Sequence, residues 1–212
     1  MTQVDHVFLF PHDLAGMQTR LEAEGLAPSF RRAHPGQGTA NVCYCFENTY
    51  LELLWVDDAT AQQHPGVART GLIQRGAGGA SACPIGIAWR DTQDAALDAE
   101  TWDYHAPFLP AGMSIAVATE SDDPTHPFVF RSPGTSAPSE WTDGRAGRLQ
   151  RAAGLGAVER IVLGCPAGFR PGPALTLLAQ DTILCTKDAP QWSLTLEITR
   201  TSGAKPLRVT VS

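Results

Sequence analysis

The strand Tyr50-Leu-Glu-Leu-Leu-Trp-Val56, reached soon after His34-Pro-Gly-Gln-Gly-Thr-Ala-Asn41, constrains this chain more than any other stretch. An extended backbone puts Leu51, Leu53 and Trp55 on one face and Tyr50, Glu52, Leu54 and Val56 on the other. Such a strand is apolar on both sides and belongs inside a protein, yet a carboxylate sits at its centre. Burying a carboxylate costs several kcal/mol or more unless it is paired, hydrogen-bonded or bound to a metal. Glu52 is therefore a candidate site residue.

A second strand, Val4-Asp-His-Val-Phe-Leu-Phe10, repeats the pattern with an imidazole. Strict alternation places His6 on one face with Val4, Phe8 and Phe10. A His and a Glu, each at the centre of a hydrophobic strand, make half of a metal site or an acid–base pair. The same two residues also fit a core histidine bonded to a buried carboxylate.

The composition narrows the class. At 212 residues, with 43% hydrophobic and 18% charged residues, the chain suits one globular domain or two small ones sharing a core. The 16 prolines and 20 glycines predict many turns and a strand-rich fold. A net charge of −6 argues against nucleic-acid and anionic-membrane partners, which need clustered Lys and Arg. No run reaches membrane-spanning length, and Met1–Asp5 lacks the basic start of a signal peptide, so a cytoplasmic protein is expected. Five cysteines without a C-x-x-C pair read as reduced thiols. Cys43 and Cys45 share a strand face, as small buried hydrophobes do.

Along the chain, Asp13 can cap a helix carrying Leu14, Met17 and Leu21, with Gly25 as its stop. Strands at Asn41–Phe46 and Tyr50–Val56 complete a β-α-β-β-β block over residues 3–57. Residues 61–81 read as a polar, Gly-rich linker. The pattern restarts with a strand at Cys83–Trp89, a helix at Asp91–Trp102 and strands at Met113–Ala118 and Phe128–Phe130. Residues 132–146 read as a loop. A third start follows at Val158–Leu163, then a helix at Pro173–Gln180 and strands at Thr182–Cys185, Trp192–Thr199 and Leu207–Val211. This rhythm predicts an internally duplicated α+β fold: one module over 1–60 and a second, extended one over 82–212, formed as one interrupted module or two truncated repeats.

Asp5-His-Val-Phe-Leu-Phe10, His34–Asn41, Tyr50–Val56 and Pro84-Ile-Gly-Ile-Ala-Trp-Arg90 together resemble the glyoxalase-like branch of the vicinal oxygen chelate superfamily. The resemblance implies paired βαβββ modules forming curled mixed sheets around a cavity. Metal-dependent members of that superfamily hold a divalent ion between modules, through a His on a first strand and a Glu on a last strand. His6 and Glu52 fall on those two places in the first module, implying a site for zinc, manganese, iron or nickel with Glu52 moving a proton. In the second module the matching place on the first strand is Gly86, which has no side chain to coordinate. Glu197 shares its strand face with Ser193, Thr195 and Thr199, which describes an outward-facing carboxylate.

Around the cavity mouth Gln37, Thr39, Asn41 and Cys43 share a face and are candidate substrate contacts, together with Phe8 and Trp89. The same residues also fit ordinary turn chemistry about Gly36 and Gly38. His34 reads as a loop residue and Arg90 as a cation reaching out from a strand end. Two functions follow. One is a metal-dependent lyase, isomerase or dioxygenase acting on a small oxygen-bearing substrate. The other is a metal-free protein that sequesters a small molecule against an aromatic lining of Phe8, Phe10, Tyr44 and Trp55. A third reading gives the His–Glu pair a packing role alone. The exposed edges of half-barrels also admit a homodimer.

Overall fold

Two runs of four strands lie side by side in a single eight-stranded sheet. The computed structural model describes residues 2–78, 82–92, 96–147 and 149–212. The first run comprises β1 (Gln3–Leu9), α1 (Leu14–Ala23), β2 (Phe30–His34), β3 (Thr39–Cys45) and β4 (Tyr50–Val56), in the expected order. Asp13 caps α1 by accepting the Gly16 N–H, and Met17 and Leu21 turn inward one helical turn apart. Between β2 and β3 the chain reverses through Gly36 and Gly38, at φ of 78° and 77°. A Cβ on Gly38 would strike the Asp58 carbonyl, so only glycine fits there.

The second run is β5 (Ile85–Arg90), β6 (Thr101–Tyr104), β7 (Ile115–Ala118) and β8 (Phe128–Arg131). The spatial order β2-β3-β4-β1-β5-β8-β7-β6 joins the two halves through the antiparallel β1–β5 pair, so an approximate two-fold relates them. This is the α+β architecture of paired modules curled around a cavity.

Two expectations are corrected. The helix over Asp91–Trp102 is replaced by irregular chain at 96–100 and by β6 from Thr101, while its residues 93–95 lie outside those described. Asp91 ties this segment down by accepting from the Trp89 indole (3.1 Å) and the Leu97 amide (3.2 Å). The linker at 61–81 is largely helical: a 3-10 turn (Ala59–Gln63) is followed by α2 (Pro65–Thr70) and α3 (Leu72–Gly76), and residues 79–81 lie outside those described. Val67, Leu72 and Ile73 are buried there, and Arg75 reaches five backbone carbonyls, those of Ser121, Asp123, Pro124, His126 and Cys83.

The last third of the chain keeps the expected order of strand, helix and three strands. β9 (Leu155–Cys165), α4 (Pro173–Asp181), β10 (Leu184–Asp188), β11 (Ser193–Arg200) and β12 (Leu207–Val211) form a separate four-stranded sheet ordered β10-β9-β11-β12. Leu163, Leu194, Leu196 and Ile198 of the small sheet share a core with Val7, Leu9, Leu53 and Ile87 of the large one. Alternation leaves Glu197 on the outer face, between Arg208 (3.2 Å) and Arg160 (3.8 Å), as its neighbours implied. Among the described residues no helix is long and apolar enough to cross a membrane.

Candidate functional site

The site is built by a β-bulge. Pairing between β1 and β5 shifts between Val4 and His6, which makes Asp5 the extra residue. Alternation changes phase at that point. Val4, Val7 and Leu9 face the core shared with the small sheet, whereas Asp5, His6 and Phe8 line the cavity. The face expected to unite Val4 with His6 and Phe8 is thus broken at Val4. The bulge does what a regular strand cannot, aiming two consecutive polar side chains the same way. The Thr49 hydroxyl, donating to the Asp5 carbonyl at 2.9 Å, ties it to the turn before β4.

His6 Nδ1 lies 2.8 Å from Asp5 Oδ2, and Asp5 Oδ1 accepts from Arg90 Nη1 at 3.1 Å. The Asp5 carboxylate only accepts, so His6 donates to it from Nδ1, while the other ring nitrogen, Nε2, faces Glu52 Oε2 at 3.5 Å. Glu52 Oε1 accepts from the Asn41 amide. Burial pushes the Asp5 carboxyl up, but hydrogen bonding and charge from His6 and Arg90 outweigh it and hold Asp5 below the ordinary carboxylate value. The His6 ring is stacked on Tyr50, with centroids 4.4 Å apart, and meets the edge of Phe130 at 5.4 Å. Arg90–Asp5–His6–Glu52–Asn41 is one buried polar chain along the cavity floor.

A second chain runs along the wall through Tyr104, Gln37 and His34. The Tyr104 hydroxyl donates to Gln37 Oε1 (3.0 Å), Gln37 Nε2 donates to Thr39 Oγ1 (2.8 Å), and Thr39 Oγ1 meets His34 Nδ1 at 2.9 Å. His34 is a strand residue rather than a loop residue: it ends β2, is buried and lines the cavity beside Phe108.

The cavity holds about 210 Å³, enough for a small ligand. Of the expected contacts, Phe8, Gln37, Asn41 and Cys43 line it with His6 and Glu52, while Thr39 bonds to Gln37 and His34. Trp89 is corrected. It lies on the far face of β5, in the core under the small sheet, as Tyr44 and Trp55 do on β3 and β4. Phe128, Phe130, Tyr50 and Phe108 supply the aromatic lining instead. Arg90, expected to reach out to solvent, is only 3% exposed. Alternation from Gly86 through Ala88 already puts Arg90 on the cavity side and Trp89 on the other. Burial, with the Glu52 charge second, pushes the Cys43 thiol well above its ordinary range, so it is no ready nucleophile.

The family model described as a glyoxalase-like domain matches residues 4–143, spanning both modules and the whole cavity wall up to Trp141. The chain belongs to the glyoxalase-like domain family, within the vicinal oxygen chelate superfamily. A hypothetical protein from Staphylococcus aureus is similar in structure, at 10% identity over 91% of this chain and 88% of that one, with a TM-score of 0.49. A methylmalonyl-CoA epimerase is similar at 18% identity over 62% of this chain and 96% of that one, with a TM-score of 0.37. A triple mutant of 4-hydroxymandelate synthase from Streptomyces coelicolor is similar at 12% identity over 99% of this chain and 62% of that one, with a TM-score of 0.43. No curated protein matches the chain.

The superfamily implies a metal, and the side chains present do not fit one. In β1–β4 pairing Phe8 stands opposite Glu52, and in β5–β8 pairing Ala88 stands opposite Phe130. Across β1–β5, His6 and Phe8 stand opposite Ala88 and Gly86, and across β5–β8 these stand opposite Phe130 and Phe128, so the second module offers no coordinating side chain at these places. A Cβ on Gly86 would run into the Phe8 ring. Among the described residues no group of three or more His, Cys, Asp or Glu is arranged to hold a metal ion. His6 and Glu52 alone fall short of the three or four ligands that zinc and iron sites usually take.

Proposed function

We propose that the cavity performs metal-independent proton transfer on a small ligand, with Glu52 as the base and the Asp5–His6 pair as its partner. The observation that carries this reading is the buried chain Arg90–Asp5–His6–Glu52–Asn41, in which each polar contact but one has hydrogen-bond length. The remaining gap, 3.5 Å between His6 and Glu52, lies at the cavity wall. Catalytic contacts are often long before a ligand is bound. Glu52 takes a proton from carbon beside a carbonyl, and the C–H electron pair passes into that carbonyl. Asn41 holds the other Glu52 oxygen, and Asp5 stabilises positive charge on His6 when the proton is passed on.

Hydrogen–deuterium exchange tests this, because exchange is the half-reaction common to every such proton abstraction. Chelator-treated protein is incubated in D2O with a panel of small ketones, hydroxyketones and 2-oxo acids and followed by proton NMR. Exchange into at least one compound, unaffected by chelation and reduced by roughly 10²–10⁴-fold in Glu52→Gln, supports the reading. Exchange abolished by chelation would restore the metal-dependent lyase, isomerase or dioxygenase. The aromatic lining supports a second reading, a sequestering protein of the same fold. Tight binding of an aromatic ligand with no exchange across the panel would favour it.

A further inference from the structure

The chain Tyr104–Gln37–Thr39–His34 has no part in the reading above, yet it is buried, continuous and ends at the cavity. Proton order along it can run three ways. In one, the Tyr104 hydroxyl donates to Gln37 Oε1, Gln37 Nε2 donates to Thr39, and the Thr39 hydroxyl donates to His34 Nδ1. In the second, the Gln37 amide is turned over, His34 Nδ1–H donates to Thr39, and the Tyr104 hydrogen is left over. In the third, Thr39 Oγ1 accepts from both Gln37 Nε2 and His34 Nδ1–H, and the Thr39 hydrogen is left over. The three are not equal. Tyr104 is 2% exposed and Thr39 1%, so the second order strands the phenolic hydrogen and the third the threonine hydrogen. A buried donor without an acceptor costs more than an unused lone pair. The first order is therefore the stable one, and it leaves Nδ1 of His34 as an acceptor and its proton on Nε2. Among the described residues no protein group is bonded to that nitrogen.

We infer that His34 is held with its proton on Nε2, so that it presents a hydrogen-bond donor to an oxygen atom of the bound ligand, and that Thr39, Gln37 and Tyr104 are positioning residues for it. The inference rests on the reading of the cavity as a proton-transfer site, to which it adds the group that receives the developing negative charge. The two histidines are then set oppositely. Asp5 draws the His6 proton to Nδ1, while the Tyr104 chain draws the His34 proton to Nε2. Placement agrees with this division. His34 ends β2 opposite Thr39, one alternation along the same face from Arg32, which stands opposite Asn41. The donor thus lies on the same wall as the amide that holds Glu52. As an imidazole N–H against an oxyanion, His34 is worth roughly 10²–10³-fold in rate.

Nitrogen-15 NMR of ligand-free protein reads the tautomer directly, with His6 as internal reference. The expected spectrum shows His34 protonated on Nε2 and His6 on Nδ1. Tyr104→Phe should shift His34 towards a mixture of tautomers and leave His6 unchanged. Protonation of His34 on Nδ1 in the wild type overturns the inference, as does a tautomer that ignores Tyr104→Phe. In the exchange assay His34→Leu should lose roughly a hundredfold and His34→Gln, which keeps a donor near the Nε2 position, should retain most of the rate. An undiminished rate in His34→Leu, with Glu52→Gln dead, rejects the role of His34 and leaves that of Glu52 standing. Absence of exchange in the wild type counts against the role of Glu52, and the tautomer then decides this one.

Discussion

The ring of Phe8 lies over Gly86, its direct partner across the β1–β5 pair, and fills the space a side chain at Gly86 would need. The two residues are a matched set, and together they close the second-module half of the place where this superfamily can hold a metal. Gly86→Ala alone should destabilise the protein by about 1–3 kcal/mol through overpacking, read as a lowered urea midpoint. Phe8→Ala with Gly86→His should instead open the space and add a third potential ligand. That double variant is expected to bind zinc more tightly than the wild type, as measured by calorimetry, and to lose the gain when His6→Ala is added.

Asp5→Asn breaks a buried pair at its centre. Arg90 keeps Gln3 and the Asn48 carbonyl as partners, so the loss should fall at the low end of about 3–5 kcal/mol. The pH dependence has a definite sign. The folded-state value of Asp5 lies below its ordinary 3.8, so its contribution is complete above that value and is lost as pH falls through the lowered one. Urea denaturation at a series of acid pH values should show a smaller loss of stability in Asp5→Asn than in the wild type.

His34 acts with the same sign at a higher pH. Burial first, then the Arg32 and His6 charges, set against the Glu52 charge, bring it below the ordinary 6.5. Below pH 6.5 the unfolded chain takes up a proton that the folded protein resists, so stability falls as the solution is acidified and levels off above 6.5. In His34→Gln that part of the slope should vanish, as thermal melts at mildly acid pH would show.

Arg75 predicts a purely structural effect. Its guanidinium is 1% exposed and bonds five backbone carbonyls, and burial drives it down to about 10. A lysine has one nitrogen and cannot span that set. Arg75→Lys should lower stability by upward of about 3 kcal/mol, with the His34 and His6 tautomers unchanged in spectra of the folded fraction.

Much of this was legible in the sequence. The strand periodicities placed β1, β3 and β4, and the isolated polarity of His6 and Glu52 marked the cavity floor. What alternation could not show was the bulge at Asp5, because one inserted residue changes which face every earlier side chain takes. Asp5 therefore carries no signal of its own in the strand pattern. Simple alternation from Gly86 separates Trp89, in the core, from Arg90, on the cavity side. His34 and Tyr104 meet through Gln37 only when β6 comes across the mouth from the second module, a contact between distant residues that no local pattern carries. The helical run after β4 stayed hidden because Arg75 is buried by carbonyls far away in sequence, and a lone arginine in a polar stretch reads as exposed.

The most direct test of the central claim is the metal content of purified, untagged protein, wild type beside His6→Ala, before and after incubation with zinc, manganese or iron. The account predicts far less than one equivalent in both proteins, and no uptake that depends on His6. Near-stoichiometric metal in the wild type that disappears in His6→Ala would contradict it and make His6 and Glu52 ligands after all.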